Sequence, residues 1–149
     1  MKSLDIYNTS LPSSLSRIGK VVDEFITNLQ KSCGTVDDCT IFELRVILNE
    51  VLINAIRHGN GEDVSKVVKV NASISEQGTV SIIVEDEGCG YDYNYICGCH
   101  KPLQGMTDPL DTGESGRGIM IVRSLCNNVE VNAKGNKIIL TKKITSIEQ

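Results

Sequence analysis

Glu50, Asn54 and His58 stand at i, i+4 and i+8 within ELRVILNEVLINAIRHG, residues 43–59. On a helix that spacing stacks a carboxylate, an amide and an imidazole along one face. A carboxylate at 50 suits a general base toward a hydroxyl or water. An amide oxygen at 54, one turn on, is a hard ligand suited to Mg²⁺. Base and metal held one turn apart are what phosphoryl transfer requires. A solvated helix face accounts for any one of these residues equally well, and for His58 a structural role fits best.

Two glycine motifs further along the chain add to that row. DEGCG at 86–90 sets an aspartate at a strand end, followed by Gly88 and Gly90. Its carboxylate can accept a hydrogen bond from an exocyclic amine such as that of adenine, and the glycines let a ligand approach the backbone. GESGRGIMIV at 113–122 places Gly113, Gly116 and Gly118 around the start of a helical pattern read from Arg117 to Cys126. Free N–H groups at a helix start form an anion site suited to phosphates. No G-K-[ST] is present, so this is neither a P-loop nor a dinucleotide fingerprint. Cys97, Cys99 and His100 form a tight CGCH cluster, with Cys89 as a possible fourth ligand. It lacks paired C-x-x-C spacing, and a glycine-rich loop gives a zinc ion little rigidity.

These residues need elements to position them. Apolar residues at 44, 47, 48, 51, 52, 55 and 56 keep helical period and bury the opening helix, with Asp37 or Asp38 as its N-cap. His58-Gly59-Asn60-Gly61 ends it, the glycines supplying a left-handed C-cap. Upstream, residues 2–8 read as a short edge strand with Leu4 and Ile6 apolar. Leu11-Pro12-Ser13 breaks the chain, Ser13 or Ser14 caps the next helix, and 15–29 is helical. Lys66–Ser75 and Thr79–Glu85 form a hairpin around Glu76-Gln77-Gly78 that delivers Asp86. Residues 91–115 have no period, and so long a stretch inside one domain is either a functional lid or a wrong assignment of elements. A helix over 117–126 and a hairpin of 129–132 with 137–141 complete the chain. This order gives an α+β, two-layer sandwich, with helices on one face of a mixed, mainly antiparallel sheet.

The composition agrees with one domain spanning 1–149. With 149 residues, 40% hydrophobic, 23% charged and a net charge of -4, the chain can bury one core. Its mild acidity and the lack of Trp argue against a nucleic-acid surface. No apolar run approaches the ~18 residues that span a bilayer. The N-terminus lacks a signal-peptide core, so a cytoplasmic protein with free thiols is expected.

Together, and in this order, the three motifs resemble the Bergerat-fold (GHKL) ATPases. The N box corresponds to Glu50–Ala55, the adenine box to Asp86-x-Gly88-x-Gly90, and the glycine lid to Gly116-x-Gly118. The run DPLDTGESGRGIMIVRSLCNNVEV (108–131) and the NAIRHG ending of the N box narrow the likeness to the anti-sigma-factor serine/threonine kinases. It covers roughly residues 4–143. The resemblance implies ATP and Mg²⁺ as cofactors, Glu50 as general base and Asn54 as Mg²⁺ ligand. It assigns Asp86 to the adenine amino group, with Gly88 and Gly90 beside the nucleotide. Gly116 and Gly118, with Arg117 between them, lie near the phosphates, and the resemblance makes residues 91–115 the lid.

It further implies a protein serine kinase that phosphorylates a STAS-type antagonist, binds a sigma factor and forms a homodimer, with no part for membrane or nucleic acid. Arg17 and Lys20 fall where the family uses a basic residue at the partner interface. Three features depart from the family's pattern. The last hairpin reads Gly135-Asn136-Lys137 where a Gly-Thr is common, Asn127-Asn128 replaces an acidic pair, and the CGCH insertion is unusual. They motivate an alternative, a nucleotide-regulated binding switch without kinase activity. A detached histidine-kinase domain fits less well, because no helix with a phospho-acceptor His precedes the N box.

Overall fold

The computed structural model describes residues 3–88 and 114–144, and of 114–117 the backbone alone. Gly90, the CGCH cluster and residues 91–113 of the expected lid lie outside the described residues. Strands β1 (Ser3–Pro12), β2 (Val67–Ser75), β3 (Thr79–Glu85), β4 (Asn128–Val131) and β5 (Lys137–Lys143) pair in the order β1-β2-β3-β5-β4. All four pairings are antiparallel, so no parallel pair of the expected mixed sheet occurs among the described residues. Helices α1 (Ile18–Cys33), α2 (Asp38–Asn54) and α3 (Glu114–Leu125) supply the second layer. The α+β order expected from the sequence is the observed one.

Alternation decides which sheet face is covered. Val68, Val70 and Ala72 of β2 are buried, as are Val80, Ile82 and Val84 of β3 and Ile138 and Leu140 of β5. They meet Phe25 and Leu29 of α1, Leu48, Val51 and Leu52 of α2, and Ile119 and Val122 of α3 in one hydrophobic cluster. Their polar neighbours on the strands, such as Lys69 and Asn71, line the other face.

Several boundaries differ from expectation, each for a local reason. β1 runs on to Pro12, because an edge strand tolerates a residue without an N–H. A bulge between Asp5 and Tyr7 turns both Ile6 and Tyr7 inward and leaves Leu4 60% exposed. Neither serine caps α1 through its side chain. A 3-10 turn, Leu15–Arg17, intervenes, and Ser13 Oγ donates to the carbonyl of Lys66 at 2.7 Å instead. Asp37 does cap α2, accepting from the Thr40 N–H at 2.6 Å. The helix start at 117 moves back to Glu114, so Gly116 and Gly118 lie inside the first turns of α3.

Candidate functional site

Glu50 and Asn54 project from the last two turns of α2, where the buried face of the helix meets its open side. Glu50 is half-buried. Asn54 has no exposed surface, and neither its Oδ1 nor its Nδ2 has a hydrogen-bond partner among the described residues. A buried amide normally satisfies both atoms, since leaving one bare costs about 1–3 kcal/mol. An orphaned amide oxygen one turn from a carboxylate fits a hard cation such as Mg²⁺.

Beyond Asn54 the helix widens into a π turn, Ala55–Gly59, closed by the Asn60 N–H donating to the Ala55 carbonyl at 2.9 Å. Such turns are frequent at functional sites. This one breaks the i+4 row, so His58 is exposed where Asn54 is buried. Partial burial and the neighbouring Arg57 charge hold the His58 imidazole below its ordinary pKa. The left-handed residues of the turn are Gly61 (φ 62°) and Glu62 (φ 58°). Gly59 does other work.

Gly59 faces the adenine-box motif. A Cβ on it would overlap the Asp86 carboxylate, and a Cβ on Gly88 would overlap the carbonyl oxygen of Gly59. The end of α2 and the loop after β3 thus approach at a distance only glycines permit. Asp86 is 3% exposed and accepts the Gly88 N–H at 2.8 Å. Burial raises its carboxyl above the usual carboxylate range, and the Gly88 N–H partly offsets this.

The glycine motif of α3 reaches the same helix from another side. A Cβ on Gly118 would overlap Oε2 of Glu50. At the far end of α3, Lys142 Nζ donates to the Leu125 carbonyl at 2.7 Å and pairs with Glu43 of α2 at 2.8 Å. These two anchors run α3 antiparallel to α2 and fix Gly118 on the carboxylate. Glu50, Asn54, Asp86, Gly88 and Gly118 are therefore gathered along α2 and its π turn. Gly116 and Arg117 lie on the α3 backbone beside Gly118, while Gly90 is outside the described residues. Arg17 and Lys20 are both exposed, near the start of α1. No group of three or more His, Cys, Asp or Glu suited to a metal occurs among the described residues.

Three asparagines hold this site together; the sequence reading named Asn136 only as a departure from the family's Gly-Thr, Asn60 only in the ending of α2, and Asn132 only as the last residue of a strand. Buried Asn60 donates from Nδ2 to Ser13 Oγ (2.8 Å) and the Val67 carbonyl (3.0 Å), while its Oδ1 accepts from the Glu87 N–H (2.7 Å). It ties β1, β2 and the Asp86 loop together. Asn136 Nδ2 donates to the Asp86 carbonyl at 3.2 Å, and the Asp86 N–H donates to the Asn136 carbonyl at 2.9 Å. Asn132 Oδ1 accepts from the N–H groups of Gly135, Asn136 and Lys137. The Asn132-x-x-Gly135 spacing is a side-chain turn signal that identifies this last role. The other two span 27–50 residues of sequence and leave no local trace.

Comparison with known proteins gives the arrangement a lineage. A profile of the histidine kinase-like ATPase domain matches residues 11–142. An anti-sigma F factor of Clostridium perfringens (strain 13 / Type A) is 33% identical over 133 residues, covering 84% of each chain. One from Priestia megaterium is 30% identical over 84% of this chain and 81% of its own. One from Clostridium novyi (strain NT) is 28% identical over 97% and 95%. The solved structure of the mycobacterial sensor histidine kinase MprB superposes with a TM-score of 0.51 at 14% identity, over 95% of this chain and all of that one, which speaks for the fold. The chain belongs to the histidine kinase-like ATPase (GHKL) family that includes the anti-sigma F factors.

Proposed function

We propose that this chain is an anti-sigma regulator that works as an ATP-dependent protein serine/threonine kinase, phosphorylating a serine on a STAS-type antagonist and binding a sigma factor, as a cytoplasmic homodimer. The reading takes residues 1–149 as one ATP-binding domain with 91–115 as its lid. Its single strongest support is the orphaned, buried amide of Asn54 one turn from Glu50, with Gly118 packed on that carboxylate. The names of the relatives supply the regulatory context.

In this reading Asn54 Oδ1 ligates Mg²⁺, Asp86 accepts the adenine amino group, and Gly88 and Gly90 lie beside the base. The free N–H groups of the first turn of α3, where Gly116 and Arg117 lie, would meet the phosphates, with Gly118 packed beside them on Glu50. Bound Mg-ATP supplies the phosphoryl group and the charge neutralisation that makes it transferable. Glu50, as a carboxylate, takes the proton from the substrate serine hydroxyl. The serine oxygen bonds to the terminal phosphorus as the bond to ADP breaks. The bare Cα of Gly118 leaves room for the Glu50 carboxylate beside α3, where any larger residue would displace it.

Incubation with Mg-ATP and a STAS-domain antagonist is expected to yield phosphoserine on the antagonist, read by mass spectrometry. Glu50→Gln keeps the size of the side chain but cannot accept the proton, and should slow transfer by about 10²–10⁴-fold. Transfer at the parent's rate would remove Glu50 as base. Nucleotide-dependent partner binding without phosphoserine would instead identify a binding switch.

A further inference from the structure

Asp86 is held from both sides by one residue of the last hairpin. Its N–H donates to the carbonyl of Asn136, and its carbonyl accepts Asn136 Nδ2. The hairpin turn itself does not need that side chain. Asn132 Oδ1 already gathers the N–H groups of residues 135, 136 and 137, at 2.8, 3.1 and 3.2 Å. Asn132 Nδ2 in turn donates to Asn136 Oδ1 at 2.8 Å, which orients the amide so that its own Nδ2 faces Asp86. On the following residues, Asn60 Oδ1 accepts the Glu87 N–H and the Asp86 carboxylate accepts the Gly88 N–H. Asp86 is left with a fixed backbone and a fixed carboxylate direction.

Resting on the reading of Asp86 as the acceptor for the adenine amine, we infer that Asn136 is a positioning residue that determines base specificity. Adenine presents an amino donor to this carboxylate where guanine presents a carbonyl oxygen, which the carboxylate repels. That discrimination depends on where the carboxylate points. A loosened Asp86 forms a poorer bond to adenine and a weaker clash with guanine, so the two bases become more alike. The phosphates are held elsewhere, around α2 and α3, and do not depend on Asn136.

Titrations of the full chain with Mg-ATP, Mg-GTP and Mg-tripolyphosphate test this. Asn136→Ala should lower the preference for ATP over GTP about five- to tenfold, the weight of one hydrogen bond. Tripolyphosphate affinity should stay within about twofold of the parent's. Asn132→Asp keeps the three acceptor contacts of the turn but replaces the donor to Asn136 by a carboxylate oxygen that repels Asn136 Oδ1. It should move the preference the same way by less. An unchanged preference in Asn136→Ala, or an equal loss for ATP and tripolyphosphate, overturns the inference. Asp86→Asn, run in parallel, separates the two levels. If it keeps the parent's ATP preference, the adenine assignment of Asp86 is itself wrong and the role of Asn136 goes with it. If it loses that preference while Asn136→Ala keeps it, only Asn136 is misassigned.

Discussion

A carboxylate excluded from water carries a cost that a binding site retains only for a reason. Asp86, the proposed acceptor for adenine, carries such a cost, with burial raising its carboxyl above the ordinary 3.8 and the Gly88 N–H pulling the other way. A folded-state pKa above the unfolded one favours folding at low pH, and that advantage is lost as pH rises through the folded value. Asp86→Asn keeps the acceptor for the Gly88 N–H and has no charge to desolvate. Its stability relative to the parent should therefore grow as pH climbs from below 3.8 through the raised value, and then level off. Urea denaturation of both proteins from acid to neutral pH checks this. Parallel profiles would mean that the carboxylate is solvated after all. Weaker ATP binding in the same variant would place the desolvation cost in the service of recognition.

Among the elements, α2 with its π turn is the spine against which the loop after β3 and the helix α3 are set, both through glycines. The two contacts differ in what can yield. A side chain at Gly88 meets backbone, the carbonyl of Gly59, whereas one at Gly118 meets the flexible end of Glu50. Gly88→Ala should therefore cost about 1–3 kcal/mol of stability as the backbone is forced apart. Gly118→Ala should fold nearly as well as the parent but slow phosphotransfer, lowering kcat more than it raises KM for ATP. Thermal melts with steady-state kinetics decide it, and equal destabilisation by both would refute the distinction. α2 was legible in the sequence because Leu44, Ile47, Leu48, Val51 and Leu52 are buried at the period that identified them. Its ending was not, because a π turn has no residue signature and Gly59 serves a close approach rather than a left-handed cap. The start of α3 at Glu114 was hidden by the glycines that recognition of the motif relied on.

For the whole molecule, the order of elements and the covered sheet face follow from alternation in β2, β3 and β5, all visible in one dimension. What joins them around the site was not visible, since Asn60 and Asn136 act on residues 27 and 50 positions away. Glu50, Asn54 and Asp86 were singled out by residue type and spacing, and their proposed roles come from the family resemblance. The asparagines that hold the loop carry no such mark. Three separate stretches are proposed to build one Mg-nucleotide site, and Asn54 is where that assembly is most sharply tested. Leu matches the shape of this side chain without its bare polar atoms. Asn54→Leu should stabilise the nucleotide-free protein by about 1–3 kcal/mol by removing an unsatisfied buried amide. The decisive measurement is ATP titration with and without Mg²⁺. The parent should bind ATP at least about tenfold tighter with Mg²⁺, and Asn54→Leu should lose that gain. A parent indifferent to Mg²⁺, or an Asn54→Leu variant that binds Mg-ATP as the parent does, would contradict it.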